Sequence, residues 1–131
     1  MSSYSTPKDV QGYYLGIDFS KSDYLKTATI RKWIEEHSTA TIDGQLRRKY
    51  TLPITNADDK ISLKLLVEYF VVGKIDGIIR ISGTEEEKEM TRNRNYSSKA
   101  NKMLAAIMDG TIQFITSPKN TSPILYQQGS Y

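Results

Sequence analysis

The chain has 131 residues, of which 38% are hydrophobic and 25% charged, with 18 basic against 15 acidic side chains and a net charge of +3. That length suits one domain with a self-sufficient core, and the composition is that of an ordered, rather polar globular chain. The lack of cysteine excludes disulfides, thiolate metal sites and cysteine nucleophiles, and a single histidine excludes a His-rich metal cluster.

No apolar run approaches the roughly 18 residues of a membrane span, and the opening MSSYSTPKDV lacks the build of a signal peptide. A cytoplasmic or otherwise intracellular location without membrane insertion is expected. Residues 1–9, Ser-rich with Pro7, read as a flexible arm. Residues 10–117 read as a single domain, and residues 118–131, with Pro118 and Pro123, as a C-terminal arm.

Val10 to Phe19 alternates imperfectly and is rich in aromatics, which predicts a first strand. Ser20 or Ser22 offers an N-cap to a helix over 23–37, where Leu25, Ile30, Trp33, Ile34 and His37 recur at near-helical spacing. From Thr39 to Ile54, two strand-like runs flank Asp43-Gly44, the pattern of a tight hairpin turn, and Pro53 limits the second strand to a sheet edge or ends it.

Residues 61–72 bear most on the fold. Ile61, Leu63, Leu65, Val67, Tyr69 and Val71 alternate with a more mixed set, so periodicity predicts a strand. Asn56 to Asp59 as a helix start and Gly73 as a stop are the competing signals. Asp76-Gly77 then leads into a short strand at 78–82. Residues 84–95 run from acidic to basic and suit a solvated helix or a loop. A helix over 98–109 carries the stripe Ala100, Met103, Leu104, Ile107 and Met108 and stops at Asp109-Gly110, before a last strand at 111–116. The expected architecture is α+β, a mainly antiparallel sheet with two or three packed helices.

Chemistry-bearing patterns are sparse. Gly16-Ile17-Asp18-Phe19-Ser20 is similar to the first strand of a nuclease of the RNase H type, but the succession of hairpin strands and the second acidic helix of that family are missing. A metal-dependent nuclease is therefore a remote alternative. Asp43, Asp76 and Asp109 each precede glycine and read as turn or cap residues. His37 reads as a helix-terminal residue, and no nucleophile elbow, P-loop, dinucleotide fingerprint or zinc-protease motif occurs. No catalytic residue, metal ligand or cofactor is assigned.

Two basic segments remain. Arg47, Arg48, Lys49 and Tyr50 form one; Arg92, Arg94, Tyr96, Lys99 and Lys102 form the other, interleaved with asparagines. Cations neutralise phosphates and tyrosine stacks on unpaired bases, so a shared face would suit single-stranded RNA or DNA. The rival reading is a binding protein that self-associates or engages a protein partner, as small assembly, inhibitor or virus-encoded structural proteins do. Ile124, Leu125 and Tyr126 of the C-terminal arm are its interface candidates. The sequence reading favours a non-enzymatic binding protein of this second kind, with nucleic-acid contact as the alternative.

Overall fold

The computed structural model describes residues 3–19 and 25–119, and every regular element among them is helical. In chain order these are α1 (Pro7–Gln11), α2 (Thr27–Glu36), a π-helical stretch (His37–Asp43), α3 (Gly44–Leu46), α4 (Ala57–Ser82), α5 (Glu85–Met90) and α6 (Tyr96–Asp109). Helix α2 passes through the π-helical stretch into α3 without a break.

Local sequence explains the helix ends. The Thr6 side chain accepts from the Asp9 N–H ahead of α1, with Pro7 at its first turn. Asn56 accepts from the N–H groups of Asp58 and Asp59, which also place negative charge at the positive end of α4. Thr84 and Glu87 form a reciprocal capping box at the start of α5. Gly110, at φ 88°, takes the left-handed conformation that ends α6, where a side chain would be strained.

Helix α4 is the axis of the molecule. At about 1.5 Å per residue its 26 residues extend about 39 Å. Leu63, Leu66, Val67, Val71, Val72, Ile75 and Ile79 are all fully buried. They pack with Ile30 and Ile34 of α2, Ile42 of the π-helical stretch, and Ala100 and Ile107 of α6.

Helix α6 returns antiparallel beside α4. Its start lies against Gly73, where an added Cβ would come within 2.2 Å of the Ser97 hydroxyl. Beyond its end, Ile115 and Thr116 donate backbone N–H groups to Asp59 at the beginning of α4, at 2.9 and 2.7 Å. One end of the molecule is thus set by the start of α4, and the other by its C-terminus with α5.

The expected α+β fold with a mainly antiparallel sheet is corrected: there is no strand or sheet among the described residues. The run 61–72 lies within α4, because its apolar residues are covered from several sides and therefore form no narrow stripe. Residues 78–82 are the end of the same helix. Asp76-Gly77 makes no turn, since Asp76 is held in the core by Tyr14.

The expected hairpin around Asp43-Gly44 is helical as well, with Asp43 accepting from the Tyr4 hydroxyl. Residues 10–19 form the end of α1 followed by turns, and 111–116 is irregular. The helices expected over 23–37 and 98–109 are found as α2 and α6. The capping serines proposed at 20 and 22 lie outside the described residues.

Tyr4 and Ser5, ahead of α1, are tied to the π-helical stretch and to α4. Ser5 is buried and donates to Glu68, Tyr13 donates to Glu68 at 2.9 Å, and the Tyr4 N–H donates to Ser38. Lys64 completes the Glu68 cluster at 2.7 Å. A buried carboxylate in mid-helix is thereby satisfied by the N-terminal strap.

Candidate interaction surfaces

At the C-terminal end of α4, the loop between α5 and α6 folds back over the helix and encloses a groove of about 680 Å³. Its cations are Arg80, Lys88, Arg92 and Arg94, and its carboxylates are Glu85 and Glu89. Arg92 pairs with Glu89 at 2.8 Å and Lys88 with Glu85 at 3.7 Å. Such exposed pairs contribute little and exchange readily with other partners. Arg80 donates to the carbonyls of Thr91 and Arg94 at 3.0 and 2.8 Å, which fixes the loop.

Arg94 faces inward from this groove. Its guanidinium lies between the rings of Tyr14 and Tyr96, at 4.9 and 5.1 Å, and its Nε approaches Asp76 to 3.1 Å. The two are close enough for charge attraction but not aligned as a hydrogen bond. Burial pushes the Asp76 carboxyl above the usual carboxylate range, outweighing the Tyr14 hydrogen bond and the charges of Arg94 and Arg80 that pull it down. The Tyr14 phenol is raised by burial and by the neighbouring carboxylate. This cluster is a structural tie between strap, α4 and the loop before α6.

The sequence-predicted basic residues fall into two separate places. Lys49 reaches the carbonyls of Ile107 and Met108 at the end of α6, and Arg47 and Lys49 accept from Lys119 through their own carbonyls. Arg92 and Arg94 lie in the loop before α6, and Tyr96, Lys99 and Lys102 in the first half of α6. From Ser97 to Ile107 is about 15 Å along the helix, so the segments do not merge into one patch.

Tyr50 is buried against Phe114, with no ring face for a base. Tyr96 is half-buried among Tyr13, Tyr69, Arg94 and Lys99. Arg47, Arg48, Arg92, Lys99 and Lys102 are exposed. Ile124, Leu125 and Tyr126 lie outside the described residues.

Large apolar side chains are exposed at both ends of α4, and the sequence reading passed over these positions as a surface. Ile81, 83% exposed, lies at its C-terminal end. Leu15, 94% exposed, lies at the same end: the adjacent Gly16 abuts the methyl group of Met90 in α5, and the preceding Tyr14 bonds to Asp76. Ile61 and Leu65, one turn apart, are exposed near the start of α4, and Ile115 follows there. The missed signal for Ile81 is its place beyond the last buried residue of α4, which is visible only once 61–82 is read as one helix.

Among the described residues no group of three or more acidic, histidine or cysteine side chains could hold a metal ion, and Asp18 lies beyond α1 in an irregular segment. Among the described residues no helix is long and apolar enough to cross a membrane. Comparison with known families, curated proteins and solved structures found no match to this chain.

Proposed function

We propose that the protein is a non-enzymatic assembly protein that acts by self-association, with one end of a subunit docking on the opposite end of the next. The observation that carries this reading is the exposure of large apolar side chains at both ends of a single helix: Leu15 and Ile81 at one, Ile61, Leu65 and Ile115 at the other. Ile61 and Ile81 are twenty residues apart, about 30 Å along α4, so neither end covers the other within one chain. Two different patches on one subunit make a head-to-tail contact, which repeats into a ring or a filament.

Light scattering of the full chain over a range of concentrations tests this. An assembly larger than a monomer is expected, and Leu15→Glu with Ile81→Glu, or Ile61→Glu with Leu65→Glu, reduces it to the monomer. Mixing the two doubly substituted chains restores a dimer and nothing larger, because one intact end of each kind remains. A full chain that stays monomeric at every concentration overturns the reading.

The groove at Arg80 and Arg92 favours a second reading, contact with single-stranded nucleic acid. Its test is the anisotropy of labelled RNA at two salt concentrations, with Arg92→Glu and Lys99→Glu as the variant. Arg94 is unsuitable as a probe, since its replacement disrupts the core cluster. Binding that is absent at low salt, or unchanged in the variant, removes this reading.

A further inference from the structure

We infer that the small polar cavity beside Asp76 and Arg94 binds a protonated tetrahedral oxyanion, of which inorganic phosphate is the free form. The cavity has a volume of about 80 Å³, against the roughly 10–15 Å³ that one water needs, so it has room for a four-oxygen anion. It is lined by Gly73, Asp76 and Arg80 from α4 and by residues 94–97, which lead into α6. Arg80, Arg94 and Asn95 also line the larger groove, so the cavity adjoins it.

The chemistry of the ligand follows from the groups that the fold leaves unsatisfied. Among the described residues three buried side-chain atoms lack a hydrogen-bond partner, and all three belong to one pair: Asp76 Oδ2, Arg94 Nε and Arg94 Nη2. Asp76 is 1% exposed; its Oδ1 accepts from Tyr14, and Oδ2 has no donor. Arg94 Nη1 turns to the carbonyls of Tyr13 and Met90, at 3.4 and 3.5 Å. Its Nε and Nη2 form the side of the guanidinium that grips two oxygens at once. A fitting ligand therefore accepts from Arg94 and donates to Asp76 within one small volume.

The surrounding charge selects an anion. Arg80 makes both of its loop bonds through Nη2. Helix α6, 14 residues long, adds the positive end of its dipole, and Asn95 at its N-cap gives no side-chain bond to the first-turn N–H groups. Two guanidinium groups and a helix N-terminus thus stand against one carboxylate.

Phosphate at neutral pH keeps at least one P–OH, which donates to Asp76 Oδ2 while the other oxygens accept from Arg94 and the start of α6. Sulfate keeps no proton and sets a bare oxygen against the carboxylate. A nucleic-acid backbone diester lacks that proton as well, so this site is separate from the strand contact considered for the groove. A small phosphate monoester offers the same chemistry when singly protonated, with the groove to hold its remainder.

Calorimetric titration of the full chain with phosphate, sulfate and glycerol phosphate, at pH 7 and one ionic strength, tests this. Phosphate is expected to bind at least about tenfold more tightly than sulfate, because sulfate leaves a buried acceptor unpaired. Asp76→Asn replaces that acceptor by an amide donor, so sulfate should gain and the preference disappear. Arg80→Gln should weaken both anions and leave their ratio unchanged, a readout that does not depend on the folding of the first variant.

Tighter binding of glycerol phosphate than of phosphate assigns a monoester as the ligand, and weaker binding assigns the free ion. Equal affinity of the parent for phosphate and sulfate marks plain attraction to surface cations and overturns the inference. Binding of none of the three leaves the cavity to water and overturns it too. Affinities unchanged by Arg80→Gln place the anion elsewhere, with the same consequence.

Discussion

Tyr14 donates a 2.6 Å hydrogen bond to the carboxylate of Asp76, sixty-two residues later in the chain, and its ring carries the Arg94 guanidinium on one face. One tyrosine therefore ties the N-terminal segment to the C-terminal part of α4 and to the loop before α6. Replacing it by phenylalanine keeps the ring and removes the donor from a carboxylate that is 1% exposed. A loss of about 1–3 kcal/mol is expected for Tyr14→Phe in urea unfolding at pH 7.

The loss should shrink on acidification. Asp76 titrates above its unfolded value, so the favourable effect of its protonation is fully present below the unfolded pKa and is lost as pH rises through the folded one. Removing the Tyr14 bond raises that folded pKa further. Equal losses at pH 7 and pH 4 would contradict this account.

Asp59 plays a different part at the other end of α4. Burial alone would raise its carboxyl, but the hydroxyl and N–H of Thr116 and the N–H of Ile115 outweigh burial and hold it below the usual range. Its stabilising effect is therefore present above the unfolded carboxylate pKa and is lost as pH falls through the lower folded value. Asp59→Asn keeps the size and weakens three charge-assisted contacts, at an expected cost of about 1.5–3 kcal/mol at pH 7. The difference from the parent should narrow in the most acidic buffers that still permit folding, read as urea midpoints.

His37 sets the behaviour nearer neutrality. It stacks on Phe70 with ring centroids 5.1 Å apart, and burial first, then the charge of Lys74, lowers its pKa, with Glu36 opposing. Thr41 is its hydrogen-bonding neighbour at 3.2 Å. A lowered histidine contributes stability above its unfolded pKa that is lost as pH falls through the folded value. The melting temperature should fall between pH 7 and pH 5, with a slope of at most about 1.4 kcal/mol per pH unit from this one proton. His37→Gln should lower stability at pH 7 by losing the stack and flatten the slope; an unchanged slope would assign the acid sensitivity elsewhere.

The sequence carried the apolar stripes of α2 and α6, the stop of α6 at Asp109-Gly110, and the acidic-to-basic order of α5, because those signals are local. Helix α4 was hidden by its own burial. Leu63, Leu66, Val67 and Val71 keep helical spacing, but Ile61, Leu65 and Tyr69 fill the gaps and imitate a period of two. Asp43 and Asp76 misled for a related reason: their partners Tyr4 and Tyr14 are 39 and 62 residues away, so nothing nearby shows that these polar groups are satisfied inside. Arg94 and Tyr96 were singled out by type as a phosphate contact and a stacking residue, whereas the structure turns Arg94 inward to Asp76. The exposed Leu15 had no sequence signal, because only the bonds from the Gln11 side-chain amide to the Tyr14 and Ile17 carbonyls reveal that its turn is fixed outward.

Two glycines of α4 separate packing from propensity in a single helix. At Gly73 an added Cβ would lie 2.2 Å from the Ser97 hydroxyl and 2.8 Å from its backbone nitrogen, whereas at Gly77 it would meet nothing within 4 Å. Gly77→Ala should therefore stabilise by about 0.5–1 kcal/mol, the usual gain of alanine over glycine inside a helix. Gly73→Ala gains the same propensity but must push α6 away from α4, because a backbone nitrogen cannot swing aside as a side chain can. A net loss of about 1–3 kcal/mol is expected, as for overpacked cores. Urea midpoints of the two variants should shift in opposite directions from the parent; two shifts of the same sign would mean that α6 does not approach α4 at Gly73 this closely.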